Sequence, residues 1–156
     1  VKNQEKSDFC YSLGADEVVQ YSKQDFYKIF KSNKEGRDID LILDMIGGDY
    51  FEKNIDLLNQ EGRLVNIAFL KGNSVKLDLS KLMMKRINLT GSTLRPRTTE
   101  FKSKIAEELR ETVWPLLDTQ KIRVHVDSIF PLEKFKDAHI RMENGNHLGK
   151  IILSLD

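Results

Sequence analysis

The chain has 156 residues and carries 25 lysines and arginines against 24 aspartates and glutamates, a formal net charge of +1. This balance excludes the strong positive field on which non-specific binding to nucleic acid or to an acidic membrane surface depends. No apolar run approaches the ~20 residues that cross a bilayer. The single Cys10 excludes an internal disulfide and a multi-cysteine zinc site, which favours a reducing, cytoplasmic setting.

Helical and extended patterns alternate along the chain. In chain order, the sequence predicts helices over residues 2–12, 23–32, 50–58, 78–86, 99–117 and 131–142, a turn over 35–37, and strands over residues 17–21, 41–46, 63–68, 88–94, 122–130 and 149–153. Asn3 has the position of an N-cap for the first helix, and Gly14 that of the left-handed residue after its end. The alternation indicates an α/β layered fold.

The most informative stretch is the strand over residues 41–46, which is apolar except at Asp44 and predicts a strand buried on both faces of a parallel sheet. Two consecutive glycines, a helical pattern and a second strand follow, which together form one βαβ unit. Because ligands bind beyond the carboxyl ends of such strands, we expect residues 45–48 and 67–70 to line one crevice. A buried carboxylate needs partners, so Asp44 is expected to be hydrogen-bonded structurally rather than to act as a general base.

Several short segments, in register along the whole chain, resemble one family. They are LGADEVVQY (13–21), LDMIGG (43–48), GSTLRPR (91–97), VWPLL (113–117) and GKIIL (149–153). Together they resemble the cofactor-binding half of the zinc-independent quinone oxidoreductases of the medium-chain dehydrogenase/reductase superfamily, closest to the p53-inducible branch. The resemblance implies a Rossmann-like parallel sheet with helices on both faces, and NADPH-dependent hydride transfer to a small-molecule quinone or another conjugated carbonyl (an enone).

The resemblance also implies roles for individual residues. The expected cofactor-binding set comprises Lys6 and Tyr21 beside the 2′-phosphate of NADPH, Met45, Ile46 and Gly47 along the nicotinamide ribose, Ile67, Ala68 and Phe69 at the carboxamide, and Leu94 facing the nicotinamide ring. It includes no catalytic residue, because the cofactor carries the chemistry of hydride transfer. No zinc is expected, and the edge strand over residues 88–94 is expected to pair two subunits in a homodimer.

The sequence departs from the family pattern at its amino end. It contains no G-x-G-x-x-G phosphate loop and none of the GroES-like barrel of the family, so we expect a fragment truncated before the first βαβ unit. Residues 1–130 would then be a partial dinucleotide-binding domain, and 131–156 a helix and strand returning to the missing domain or to the sheet. In the strand order 3-2-1-4-5-6, the strand over 17–21 would lack a neighbour, unless the sheet re-pairs, a second chain supplies one, or the order differs.

Two alternatives stay open at the level of sequence. One is a non-catalytic α/β fragment or interaction module that dimerises through exposed strands, which the missing glycine loop favours. The other is a relative of the zinc-dependent alcohol dehydrogenases. The three histidines show no metal-ligand spacing, and each lacks a nearby cysteine or paired acid.

Overall fold

The computed structural model describes residues 1–32 and 39–155. The chain divides into two compact units, Val1–Pro96 and Arg97–Asp156. The turn predicted over residues 35–37 lies outside the described residues. The division into domains of residues 1–130 and 131–156 stays a prediction.

Each unit has helices packed on parallel strands, which confirms the predicted α/β class. The first unit contains α1 (Gln4–Ser12), α2 (Phe26–Ser32), β1 (Ile39–Asp44), α3 (Tyr50–Leu57), β2 (Leu58–Asn66), α4 (Leu79–Lys85) and β3 (Asn88–Gly91). The second contains α5 (Thr99–Thr112), α6 (Trp114–Asp118), β4 (Val126–Pro131), a 3-10 turn (Leu132–Lys134), α7 (Phe135–Glu143) and β5 (Lys150–Ser154).

The sheet of the first unit has the order β1-β2-β3 with all strands parallel, which matches strands 4-5-6 of the expected order. Helix α3 connects β1 to β2 and so confirms the predicted βαβ unit. The core lies between this sheet and its helices. Its buried side chains come mainly from the inner faces of α3 and β2 and comprise Phe51, Ile55, Leu58, Leu64 and Ile87. In α3, Phe51 and Ile55 are four residues apart, which puts their side chains on one face of the helix.

The prediction that β1 is buried on both faces is wrong. Leu41 and Leu43 are 64% and 60% exposed, whereas Ile42 packs against the core and Asp44 is buried. Successive side chains of a strand point to opposite faces. Because α3 and the core residues cover one face only, the other face of β1 is open within the described part of the chain.

The prediction of a strand over residues 17–21 is also wrong, since this segment forms no strand and belongs to neither sheet. Its backbone is held by the first residue instead. The Val1 amino group donates to the Val19 carbonyl oxygen at 2.7 Å, and the Tyr21 N–H donates to the Val1 carbonyl oxygen at 3.1 Å. A strand requires a series of backbone hydrogen bonds to a neighbouring strand, and the two hydrogen bonds with Val1 do not form such a series.

In the second unit β4 and β5 pair in parallel as a two-stranded sheet. The long helix predicted over residues 99–117 is divided, because Pro115 has no N–H to continue a helix and lies in the first turn of α6. The Asp127 carboxylate joins β4 to α7 by accepting from Arg141 Nη2 at 2.8 Å and Nε at 3.0 Å. These hydrogen bonds hold the pKa of Asp127 well below its usual range.

The turn after β1 is built around the carboxylate of Asp44, which is 3% exposed. Its Oδ1 accepts from the backbone N–H groups of Ile46 at 2.7 Å and Gly47 at 3.1 Å. Its Oδ2 accepts from the side-chain amides of Asn54 in α3 and Asn66 in β2, both at 3.3 Å. This confirms the structural role predicted for Asp44.

We expect Asp44→Ala to lower the free energy of unfolding by about 3 kcal/mol, because buried donors lose a charged acceptor. Urea denaturation measures the change. Asp40→Ala is the matched control: Asp40 lies in the same strand, is exposed, and accepts one hydrogen bond, from Asn59. Equal losses in the two variants would contradict the role given to Asp44.

A second carboxylate, that of Asp56, fixes the other end of α3. It accepts from the Tyr27 hydroxyl at 2.6 Å and from the Lys31 ammonium, and Lys81 Nζ lies 3.5 Å away. Partial burial acts to raise the pKa of Asp56, but the hydrogen bonds from Lys31 and Tyr27 together outweigh burial and lower it to about 2.

This cluster predicts a pH dependence of stability. Because the folded pKa of Asp56 lies below its ordinary value of 3.8, the carboxylate stabilises the fold above about pH 4. That contribution, on the order of 1–2 kcal/mol, is lost as the pH falls from about 4 to about 2. Asp56→Asn should therefore flatten the acid limb of a stability–pH curve measured by urea denaturation. Glu52→Gln, an exposed acid in the same helix, should leave that limb unchanged, and identical curves for both variants would refute the assignment.

Candidate functional site

The ends of β1 and β2 meet at one edge of the sheet, which we call the carboxyl edge (residues 44–48 and 66–72). Backbone hydrogen bonds join its two segments. The Ile67 N–H donates to the Asp44 carbonyl oxygen at 2.9 Å, and the Lys71 N–H donates to the Ile46 carbonyl oxygen at 2.8 Å. The two segments predicted to line one crevice therefore lie side by side.

Two glycines allow this close approach. Gly47 and Gly48 have φ values of +64° and +53°, in the left-handed region that favours glycine. A Cβ on Gly47 would lie 2.6 Å from the Gly72 carbonyl oxygen, and one on Gly48 would lie 2.7 Å from the Lys71 carbonyl oxygen. Any larger residue would separate the two segments of the carboxyl edge.

An apolar cavity of about 800 Å³ lies beside the carboxyl edge in the first unit. This volume falls in the range of small-molecule sites. Three residues of the expected cofactor set line it: Tyr21, and Met45 and Ile46, which follow β1. Apolar side chains supply most of the remaining wall, among them Val18, Val19, Phe26, Phe30 and Leu70.

A smaller, more polar cavity of about 240 Å³ shares four residues with the first: Tyr21, Phe26, Tyr50 and Lys71. The rings of Phe26 and Tyr50 stack with their centroids 5.0 Å apart. Lys71 Nζ lies 4.8 Å from the Tyr50 ring centroid, and Lys53 Nζ lies 5.7 Å from that of Phe26. Both distances allow cation–π attraction.

Sequence reasoning missed the two lysines and the aromatic pair. The position of Lys71, one residue beyond the predicted segment 67–70, was the available signal. For Lys53 and Phe26 no local pattern indicates a site, because their proximity arises from the packing of α2 on α3.

The other expected cofactor residues line neither of the two cavities. Gly47 is in the turn of the carboxyl edge, and Ile67, Ala68 and Phe69 are in its second segment. Lys6 lies in α1 and is half-buried, while Leu94 lies three residues beyond β3 and is 51% exposed. Neither Lys6 nor Leu94 is among the residues that line the two cavities. The role of the whole set in cofactor binding stays a prediction.

No zinc site is formed by the part of the chain that the structure describes, since no three of its histidine, cysteine, aspartate and glutamate side chains are grouped so that they could hold a metal ion. These residues therefore do not fit a zinc ion. Across residues 1–32 and 39–155, no helix has the length and apolar character needed to cross a membrane.

The chain is similar in sequence and in fold to several proteins named as oxidoreductases or reductases. The mouse (Mus musculus) quinone oxidoreductase-like protein 2 is 28% identical over 152 residues, which are 97% of this chain and 43% of that protein. A 2-haloacrylate reductase from Burkholderia is 27% identical over 158 residues, covering 98% of this chain and 46% of the reductase. A mycobacterial quinone oxidoreductase of known structure superposes with a TM-score of 0.76 at 24% identity over 99% of this chain and 47% of its own; this shows the fold alone.

The chain thus spans less than half the length of these curated relatives. The family model described as "Zinc-binding dehydrogenase" matches residues 13–153, which include β1 to β4 and all of β5 except its last residue. By its sequence and its fold, the chain belongs to the zinc-binding dehydrogenase family, and its relatives include quinone oxidoreductase-like proteins.

Proposed function

We propose that the chain is the cofactor-binding part of an NADPH-dependent oxidoreductase that transfers a hydride to a quinone or another conjugated carbonyl. The observation that carries the proposal is the carboxyl edge, where two paired segments and two glycines in the left-handed region border an apolar cavity. In parallel α/β sheets this is the edge at which ligands bind.

The residues of the edge fit a dinucleotide in part. Tyr21 would lie beside the 2′-phosphate at the adenosine end, and Met45, Ile46 and Gly47 would border the nicotinamide ribose. Residues 67–69 would meet the nicotinamide carboxamide. Because the chain contains no G-x-G-x-x-G sequence, the proposal assigns the pyrophosphate to no residue of this chain. When bound, the reduced nicotinamide would supply the hydride, and the protein would supply position and exclude water.

The names of the relatives support the class of acceptor. One relative is named a quinone oxidoreductase-like protein and another a 2-haloacrylate reductase. A 2-haloacrylate contains a carbon–carbon double bond conjugated to a carboxylate. Both acceptors are conjugated systems that accept a hydride at carbon or oxygen. Residues 1–32 and 39–155 provide no metal ligand set, so no step is assigned to zinc.

The protein expressed from its complete coding sequence should oxidise NADPH when a quinone is added, in a spectrophotometric assay. Lys6→Ala should raise the KM for NADPH about tenfold and leave that for NADH within twofold, because a cation favours the 2′-phosphate by charge. Lys2→Ala, an exposed lysine in the residues preceding α1, is the control. Absence of binding to either cofactor would favour the non-catalytic interaction module, and equal loss for both would remove Lys6 from the site.

The proposal includes a cytoplasmic homodimer joined through β3, the edge strand of its sheet. The Ser92 N–H donates to the Asn66 carbonyl oxygen in β2 at 3.0 Å. Because the N–H groups of successive residues in a strand point to opposite sides, the N–H of Gly91 points away from β2 and towards the open edge. Gly91→Pro removes that donor, while the space beside the Gly91 Cα admits a Cβ, 3.6 Å from the nearest atom.

Light scattering of the complete protein should give the mass of a dimer for the wild type and of a monomer for Gly91→Pro. Gly91→Ala keeps the N–H and should stay dimeric. A dimer that survives the proline would place the subunit contact elsewhere.

A further inference from the structure

We propose that Asn66 is a positioning residue for the nicotinamide end of the cofactor. It acts without touching the cofactor, by tying together the two segments that would contact this end. The inference rests on the proposed function, since it concerns the same carboxyl edge. The observation behind it is a side-chain hydrogen bond between the last residues of two adjacent strands.

Asn66 stands at the point where the chain leaves the sheet. It is the last residue of β2 and pairs in register with Asp44, the last residue of β1. The residues that follow Asp44, 45–47, would border the nicotinamide ribose, and those that follow Asn66, 67–69, would meet the carboxamide. The relative position of Asp44 and Asn66 therefore sets the distance between two contacts of the same end of the ligand.

Hydrogen bonds on both sides of Asn66 fix this position. Its side-chain amide donates to Asp44 Oδ2 at 3.3 Å, and the N–H of the next residue, Ile67, donates to the Asp44 carbonyl oxygen at 2.9 Å. On the other side, the Asn66 carbonyl oxygen accepts from the Ser92 N–H at 3.0 Å, just beyond the end of β3. The pairing of β1 with β2 ends at Asp44 and Asn66, so the side chain of Asn66 adds a link where the strands stop.

The segment after Asn66 is held at its two ends. At the far end, the Lys71 N–H donates to the Ile46 carbonyl oxygen at 2.8 Å. At the near end, the segment is held by Asn66. Residues 67–69 lie between these two points and belong to no helix or strand, so their conformation depends on how the ends are held. Loss of the Asn66 amide would let the carboxamide segment shift relative to the ribose segment.

A second asparagine makes the same contact without holding a cofactor segment. Asn54 of α3 also donates to Asp44 Oδ2 at 3.3 Å, and α3 contributes none of the expected cofactor contacts. Asp44 is 3% exposed, so water has little access to replace a lost donor, and hydrogen bonds to a carboxylate are stronger than those between neutral groups. The two asparagines therefore separate support of Asp44 from placement of residues 67–69.

The test measures the binding of NADPH and of adenosine 2′,5′-bisphosphate to the complete protein by titration calorimetry. The bisphosphate has the adenosine end of NADPH and lacks the nicotinamide and its ribose. Asn66→Ala should weaken NADPH about tenfold, which corresponds to one charge-assisted hydrogen bond, and the bisphosphate less than about twofold. Asn54→Ala is the matched control, because it removes a hydrogen bond of the same length to the same oxygen. It should weaken neither ligand more than about twofold.

The fluorescence of bound NADPH gives a second readout, because the emission of its reduced nicotinamide depends on the surroundings of that ring. Asn66→Ala should move the emission maximum towards that of free NADPH, and Asn54→Ala should leave it at the wild-type position. Urea denaturation of each variant establishes that the proteins compared are folded. Asn66→Leu, which has a similar volume and no donor, replaces Asn66→Ala if that variant does not fold, with the same expected results.

The outcomes separate this inference from the proposed function. If the wild type binds NADPH and Asn66→Ala binds it as tightly, the inference fails and the proposed function stands. Equal weakening of NADPH and the bisphosphate by Asn66→Ala would mean a general loss of structure and would overturn the inference. So would an Asn54→Ala variant that loses as much affinity for NADPH as Asn66→Ala. A wild type that does not bind NADPH would overturn both proposals.

Discussion

The carboxyl edge depends on a single buried charge, the carboxylate of Asp44. Four donors from the turn, from α3 and from β2 converge on its two oxygens. An ionised group in such a site is tolerated only with its partners in place. The strand end, the turn, the helix and the neighbouring strand are thereby tied to one another, and displacing any of them would remove at least one donor from the carboxylate.

Helix α3 is held at its other end by groups distant in sequence. The Lys85 ammonium donates to the carbonyl oxygens of Asp56 and Leu58, both at 2.7 Å, where the helix leaves carbonyls without partners. Partial burial lowers the pKa of Lys85, and the helix terminus favours its positive charge. With both ends fixed, α3 presents Tyr50 at a constant place beside the cavities, which is what a ligand site requires.

The two faces of β1 are unevenly buried. The chain spans less than half of its relatives, and the outer face of β1 carries exposed leucines although the inner face is buried. An α/β sheet normally has both faces covered. The site has the same character: a carboxyl edge and two adjoining cavities are present, while the sequence contains no G-x-G-x-x-G phosphate loop.

The sequence by itself determined the local structure of this protein. The βαβ unit, the cap at Asn3, the positive φ of Gly14 and the structural role of Asp44 all follow from residue type and spacing, because the rules behind them act over a few residues. The tertiary structure alone decided which faces are covered and which distant side chains meet. The exposure of Leu41, the failure of residues 17–21 to form a strand, and the meeting of Lys71 with Tyr50 depend on packing between segments far apart in the chain, which no local pattern records.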